Sequence, residues 1–199
     1  MLGDAVMGAL TRATSTLREQ GVNFAVMGGV AVSIWKHARA TKDVDLLVDT
    51  QPDEVAALLK PLVAAGIHPK RLPPVVAIDD VHIVQFTCQP TEALLDVRVD
   101  LLLAESEFQK QALARAVPSK LPPPNENVRV LACEDLVIFK LLAGRMIDRA
   151  DAAYLLRENR SRLDTPHLRR WIEHYGLGAE FDEAWRAAFP NEEQSPGAM

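Results

Sequence analysis

Between Phe24 and Val48 the chain reads FAVMGGVAVSIWKHARATKDVDLLV, and this stretch limits the fold more than any other. Phe24 to Met27 has the character of a buried strand, and Gly28-Gly29 breaks it. A short apolar helix, Val30 to Trp35, is expected next, then a basic loop with Lys36, His37, Arg39 and Lys42. A second strand carries Asp43-Val44-Asp45 into Leu46-Leu47-Val48. Strand side chains alternate, so Asp43 and Asp45 project from one face and Val44 from the other. Two carboxylates on one face repel, and beside an apolar sheet each ionised group is costly unless a cation lies between them. Carboxylate oxygens are the ligands that hard divalent cations such as Mg²⁺ take, completed by water and substrate phosphates. The glycine pair lets backbone N–H groups approach an anion, and the helix it opens turns its positive end there. A phosphate cradle followed by a metal-binding carboxylate pair is a layout for phosphoryl transfer.

A chain of 199 residues suffices for one substantial core, or one core with a small helical appendage. The net charge of −5 argues against a surface coated for tight nonspecific nucleic-acid binding, while leaving room for a local basic groove at Lys36, Arg39 and Lys42. Cys88 and Cys133 lack metal-type spacing and read as reduced thiols of a cytoplasmic protein. The first residues show no basic-then-apolar export pattern. The longest nearly apolar run, Phe24 to Trp35, falls short of the ~20 residues that span a bilayer. The expectation is a soluble protein with no membrane partner.

Elsewhere, residues 5 to 19 place Val6, Leu10, Ala13 and Leu17 at helical spacing, with Gly21 as the stop. Thr50 to Asp53 starts a helix with the apolar stripe Val55, Leu58, Leu59, Leu62 and Val63. Pro69, Pro73 and Pro74 point to a loop over 67–80, with room for one short edge strand. Strands are expected over Val81 to Cys88 and Leu94 to Leu103. The second carries Asp96, Arg98 and Asp100 on one face. A helix from Glu105 to about Ala116 precedes a proline-rich bridge, Pro118 to Pro124, and a short strand, Val128 to Leu131. Four helical segments follow. This divides the chain into a sheet domain over 1–117, a helical part over 118–190 and a flexible tail over 191–199.

Strand, Gly-Gly, a loop of roughly a dozen residues, then Asp-x-Asp between apolar residues resembles the nucleotidyltransferase superfamily with the polymerase-β-like fold. The nearest-looking branch is the small bacterial nucleotidyltransferases of the AbiEii toxin type. Its GG-x-A phrase stands here as Gly28-Gly29-Val30-Ala31, and its R-x-T-x-D-x-D-L phrase as Arg39-Ala40-Thr41-Lys42-Asp43-Val44-Asp45-Leu46. Its E-D-L-x-x-x-K-L-x-A-x-R helix matches Glu134 to Arg145, followed by Asp148 and Asp151. One departure is Val30, where many relatives carry a hydroxyl residue directly after the glycines.

The resemblance implies an α/β (α+β) fold with a mixed sheet flanked by helices. It implies transfer of a nucleoside monophosphate from an NTP to an acceptor hydroxyl on a tRNA end, a protein or a small molecule, with one or two Mg²⁺ ions. Asp43, Asp45 and a third strand acid would hold the metal. A V-D-L-L phrase in the family selects Asp100 for the third acid, with Asp96 as runner-up, and Asp100 also suits a general base. Gly28 and Gly29 would meet the phosphates, with Arg39 and Thr41 either contacting phosphate or ordering the loop. Lys140, with Asp148 or Asp151, would belong to the active site.

Plainer readings stand beside these. Arg98 with Asp96 or Asp100 is also what a half-exposed surface ladder looks like. Lys140 on an apolar helix face must snorkel or find an acid, and a structural Lys–Asp tie between two helices does that. The five histidines show no metal-type pairing and read as surface or loop residues. A non-catalytic module of the same fold, or a partner in a toxin–antitoxin pair, is the alternative function.

Overall fold

The computed structural model describes residues 3–35, 40–78, 81–89, 96–121 and 127–191. In chain order the elements are α1 (Asp4–Glu19), β1 (Phe24–Met27), α2 (Gly28–Ile34), β2 (Asp43–Val48), α3 (Val55–Ala64), β3 (Ile67–Pro69), β4 (Val75–Ile78), β5 (Val81–Cys88) and β6 (Val97–Leu103). Then come α4 (Glu107–Arg115), β7 (Val117–Lys120), β8 (Asn127–Val130), α5 (Cys133–Ala143), α6 (Met146–Asn159), α7 (Thr165–Tyr175) and α8 (Gly178–Ala188). The expected mixed α/β architecture is found. No described helix is long and apolar enough to cross a membrane.

The chain forms two compact units, Met1–Ala31 with Arg39–Leu131, and Val32–Ala38 with Ala132–Met199. The first contains one mixed sheet in the order β3-β5-β6-β2-β1-β8-β7, with β4 also on β5. β1 runs antiparallel to β2, while β2 and β6 are parallel, as are β1 and β8. Every second residue of β6 is buried, Val97, Val99, Leu101 and Leu103, so one sheet face is apolar. Helix α1 lies against β2 and β6 with Val6, Leu10, Ala13 and Leu17 buried, the stripe its spacing predicts. Helix α4 begins in a reciprocal capping box, Ser106 with Gln109, which satisfies two end N–H groups.

Three segments differ from expectation, and prolines account for two. Where a loop over 67–80 with at most one strand is expected, residues 67–78 hold two short strands. β3 pairs with the end of β5 and β4 with its beginning. Pro69, Pro73 and Pro74 sit at strand ends or between the two strands, where a missing N–H costs no ladder bond. Pro118, expected in a bridge, lies in β7 at the sheet edge, paired with Arg129 of β8. The strand expected over Leu94 to Leu103 is β6, which begins at Val97, so Asp96 stands exposed before β6 and not within it. Leu94 and Leu95 lie outside the described residues, as do 122–126 and the tail from 192.

The second unit is helical. Helix α5 is buried on most sides (Leu136, Val137, Ile138, Leu141), packs against α6 and α7, and ends at Gly144 in the left-handed conformation. Glu134 and Asp135 occupy its first turn, where negative charge suits the helix dipole. Both also anchor α7: Glu134 accepts from the Asp164 N–H at 2.8 Å, and Asp135 bonds His167 Nε2 at 2.6 Å.

Candidate active site

The site is built from adjacent strands of the first unit. In the parallel β2–β6 pair, Asp43 lies opposite Arg98 and Asp45 opposite Asp100. Side chains of directly paired residues share a sheet face, so all four project together. The same row extends to Met27 of β1 beside Asp45, and to Gln85 of β5 beside Asp100. The face opposite carries Val44, Leu46, Val99 and Leu101 in the core. Apolar alternation therefore forces the carboxylates outward, and the register brings together the three that the sequence singles out. Asp96 is not among them.

Gly28 sits where β1 turns into α2, with φ +62°. A Cβ built there would overlap Asp45 Oδ2 and lie 2.8 Å from the Asp45 Cβ. The glycine is required twice over: by the left-handed backbone and by the Asp45 side chain filling the space a side chain would need. Gly21 is the natural control, with φ +70° and nothing within 4 Å of its notional Cβ. Gly28→Ala is expected to cost about 2 kcal/mol, against about 1 kcal/mol for Gly21→Ala, because only the first adds a clash to the backbone strain. Thermal unfolding of both variants measures the difference, and equal losses would contradict it.

Electrostatics at the site centre on Arg98. Its Nη2 donates to Asp43 Oδ2 at 2.6 Å, and its Nε lies 3.2 Å from Asp100 Oδ2 without a hydrogen bond of good geometry. Asp100 Oδ1 is buried and has no hydrogen-bond partner. Burial pushes the Asp100 carboxyl above the usual range, against Arg98, a Gln85 hydrogen bond and the Lys70 charge, with Asp43 adding to the rise. Thr41 Oγ1 donates to Asp43 O at 3.3 Å, so this hydroxyl orders the chain entering β2. Arg39 lies outside the described residues.

Among the described residues, no group of three or more His, Cys, Asp or Glu side chains is drawn together closely enough to hold a metal ion. The donor set nevertheless fits a hard cation in kind: three carboxylates of one face, with an orphaned oxygen on Asp100. What spans Asp43 and Asp100 in this structure is the Arg98 guanidinium.

Lys140, Asp148 and Asp151 form a cluster inside the second unit. Lys140 Nζ is 2.7 Å from Asp148 Oδ1 and 2.9 Å from Asp151 Oδ2, and Arg145 Nε is 2.5 Å from Asp148 Oδ2. Both acids are essentially inaccessible, and Lys140 is 6% exposed. Burial alone would raise the Asp148 carboxyl, but hydrogen bonds and charge from Arg145 and Lys140 hold it below the usual range. Asp148 and Asp151 thus both pair with the lysine, where the sequence left the choice open.

Three features lie beyond the sequence pattern. Alternation alone makes Arg98 one rung of a ladder, whereas Asp43 on the neighbouring strand is its shorter contact. The partnership of Gln85 with Asp100 depends on strand order, which no local pattern carries. His167, expected at the surface, has a side chain 9% exposed and bonded to a fully buried Asp135. An aspartate on an otherwise apolar helix was the available signal for that pair.

Over residues 10–196 the sequence matches the family model described as nucleotidyl transferase AbiEii toxin, type IV toxin–antitoxin system. No curated protein sequence matches it. Several solved structures share the fold. An antigenic nucleotidyltransferase-like protein from Paracoccidioides brasiliensis is 18% identical, with a TM-score of 0.55 over 95% of this chain and 98% of that one. A candidate nucleotidyltransferase from Thermotoga maritima is 13% identical, with a TM-score of 0.52 over 87% and 96%. A lincosamide antibiotic adenylyltransferase with lincomycin bound is 14% identical, with a TM-score of 0.51 over 77% and 98%.

Proposed function

Because the chain belongs to the AbiEii nucleotidyltransferase family, we propose that it transfers a nucleoside monophosphate from an NTP to an acceptor hydroxyl, at the face formed by Asp43, Asp45 and Asp100. The observation that carries this reading is the β2–β6 register. It sets Asp45, whose side chain lies against the Gly28 turn, beside Asp100, with Asp43 two residues along the same face.

Asp43, Asp45 and Asp100 would hold one or two Mg²⁺ ions. Bound there, the metal would supply positive charge for the triphosphate and for the charge that develops as the leaving group departs. The chain's own residues do the rest. Backbone N–H groups at Gly28 and Gly29 would meet the phosphates; with Val30 in place of a hydroxyl residue, contact there would fall to the backbone alone. Asp100, made more basic by its burial, accepts the proton of the acceptor hydroxyl. The acceptor oxygen bonds to the α-phosphorus, the bond from that phosphorus to the oxygen bridging the β-phosphate breaks, and pyrophosphate leaves. The family phrase also gives Lys140 and Asp148 a part in the site; in the second unit Lys140 pairs with Asp148 and Asp151.

The acceptor is a tRNA end, a protein or a small molecule, and the type IV toxin family makes an antitoxin a candidate partner. A non-catalytic module is favoured by one observation, the Arg98 bridge across two of the acids. Titration of the intact protein with each of the four NTPs, with and without Mg²⁺, separates the readings. Mg²⁺-dependent binding of an NTP, abolished in Asp43→Ala/Asp45→Ala, is the expected result. No binding of any NTP in either condition would favour the module.

A further inference from the structure

Arg98 lies between two of the three acids of the face. Its guanidinium is hydrogen-bonded to Asp43 and in ionic contact with Asp100, two of the acids whose repulsion needs a counter-ion. The contact is uneven. Nη2 meets Asp43 at 2.6 Å, whereas Nε lies 3.2 Å from Asp100 without a directed bond, and Asp100 Oδ1 remains unpartnered although buried. Arginine–carboxylate pairs are frequently bidentate, with two parallel N–H bonds to one acid. Here the fork is split between two acids and satisfies one of them. The charges facing it are Asp43 and Asp100, with Asp45 in the next row and Lys70 acting on Asp100 from the far side of β5.

We propose that Arg98 is the internal counter-ion of the site: it keeps Asp43 and Asp100 together when no divalent cation is bound, and it leaves them when one binds. Arg98 is then a positioning residue that sets the cation affinity by competing for the same oxygens. This rests on the reading of the three acids as metal ligands and adds that the ligand set closes only after an arginine has moved. It also accounts for the absence of a converged three-acid cluster among the described residues. The side chain is about 39% exposed, so solvent is available to receive the released guanidinium.

The test uses the intact protein without nucleotide and Mn²⁺ or Mg²⁺ alone as the probe. Arg98→Gln removes the competing charge, so Mn²⁺ should bind it at least about tenfold more tightly than wild type by titration or by the loss of its free-ion EPR signal. In thermal unfolding, Arg98→Gln should be less stable than wild type in chelator and should gain more from added Mg²⁺. A surface-ladder arginine would lower stability without changing the response to the cation. Should Arg98→Gln fail to fold, Arg98→Met keeps the aliphatic path of the side chain and serves the same comparison. Cation affinity equal to or weaker than wild type in a folded variant overturns the proposal, and it does so even if wild type binds NTP with Mg²⁺ as expected. Failure of wild type to bind any NTP is a separate result, which strikes the three-acid reading instead.

Discussion

Asp45→Asn is expected to slow nucleotidyl transfer by roughly 10³-fold or more while leaving the protein as stable as wild type or more so. Asp45 stands between Met27 and Asp100 in one row of the sheet face, with its carboxylate against the Gly28 turn. Asparagine keeps that shape but removes the negative charge and one hard oxygen ligand. Loss of a metal-linked charge contact in the transition state is worth several kcal/mol, and each 1.36 kcal/mol is about tenfold in rate. Stability should move the other way, because one of three neighbouring acids no longer repels the others. The two readouts must separate: a rate collapse without a fall in melting temperature. Full activity in the variant would remove Asp45 from the chemistry, and a large loss of stability would make it a structural residue.

Lys140→Met is expected to act in the opposite sense, costing about 3–5 kcal/mol of stability whatever it does to activity. The ammonium is shared by Asp148 and Asp151, both buried to within a per cent of completely, and Arg145 reaches Asp148 alongside it. Methionine fills the space but leaves two acids short of their common cation. For a chain of this length the melting temperature should fall by about 6–20 °C. The pH dependence follows from Asp148. Its carboxyl is held below the unfolded value of about 3.9, so its contribution is complete above that pH and is lost as the pH falls through the lower folded value. Lys140→Met should therefore flatten the acid limb of the stability profile as well as lower its plateau. Lys140→Met/Asp148→Asn/Asp151→Asn should recover much of the loss. A melting temperature within a degree or two of wild type for Lys140→Met would show that the buried tie contributes nothing. Activity measured on Lys140 variants then bears on catalysis only at temperatures where the variant is folded.

How far the sequence carried this reading depended on whether the information was local. The strand–glycine–helix–strand order around Gly28 and the outward pair Asp43 and Asp45 follow from alternation and turn chemistry, and they stand in the structure as expected. The choice of Asp100 over Asp96 came from a family phrase. In the structure Asp100 lies opposite Asp45, whereas Asp96 precedes the strand. Strand order is a long-range property, so the ties of Arg98 to Asp43 and of Gln85 to Asp100 were out of reach of any windowed pattern. Prolines mislead in one direction: read as breakers they leave at most one strand where β3 and β4 stand and none at β7, whereas a sheet edge tolerates them because the missing N–H faces no neighbour. The helical half was legible from spacing, but His167 was not, because its partner Asp135 is 32 residues away.

Nucleotidyl transfer is tested by following label from the nucleotide. The protein is incubated with Mg²⁺ and each NTP carrying ³²P at the α- or the γ-phosphate, in the presence of RNA, protein or small-molecule fractions of a cell extract. Nucleotidyl transfer predicts α-label bound to one fraction, γ-label appearing only as pyrophosphate, and neither with Asp43→Ala/Asp45→Ala. Transfer of γ-label to an acceptor, or no transfer of α-label to any fraction, would contradict it.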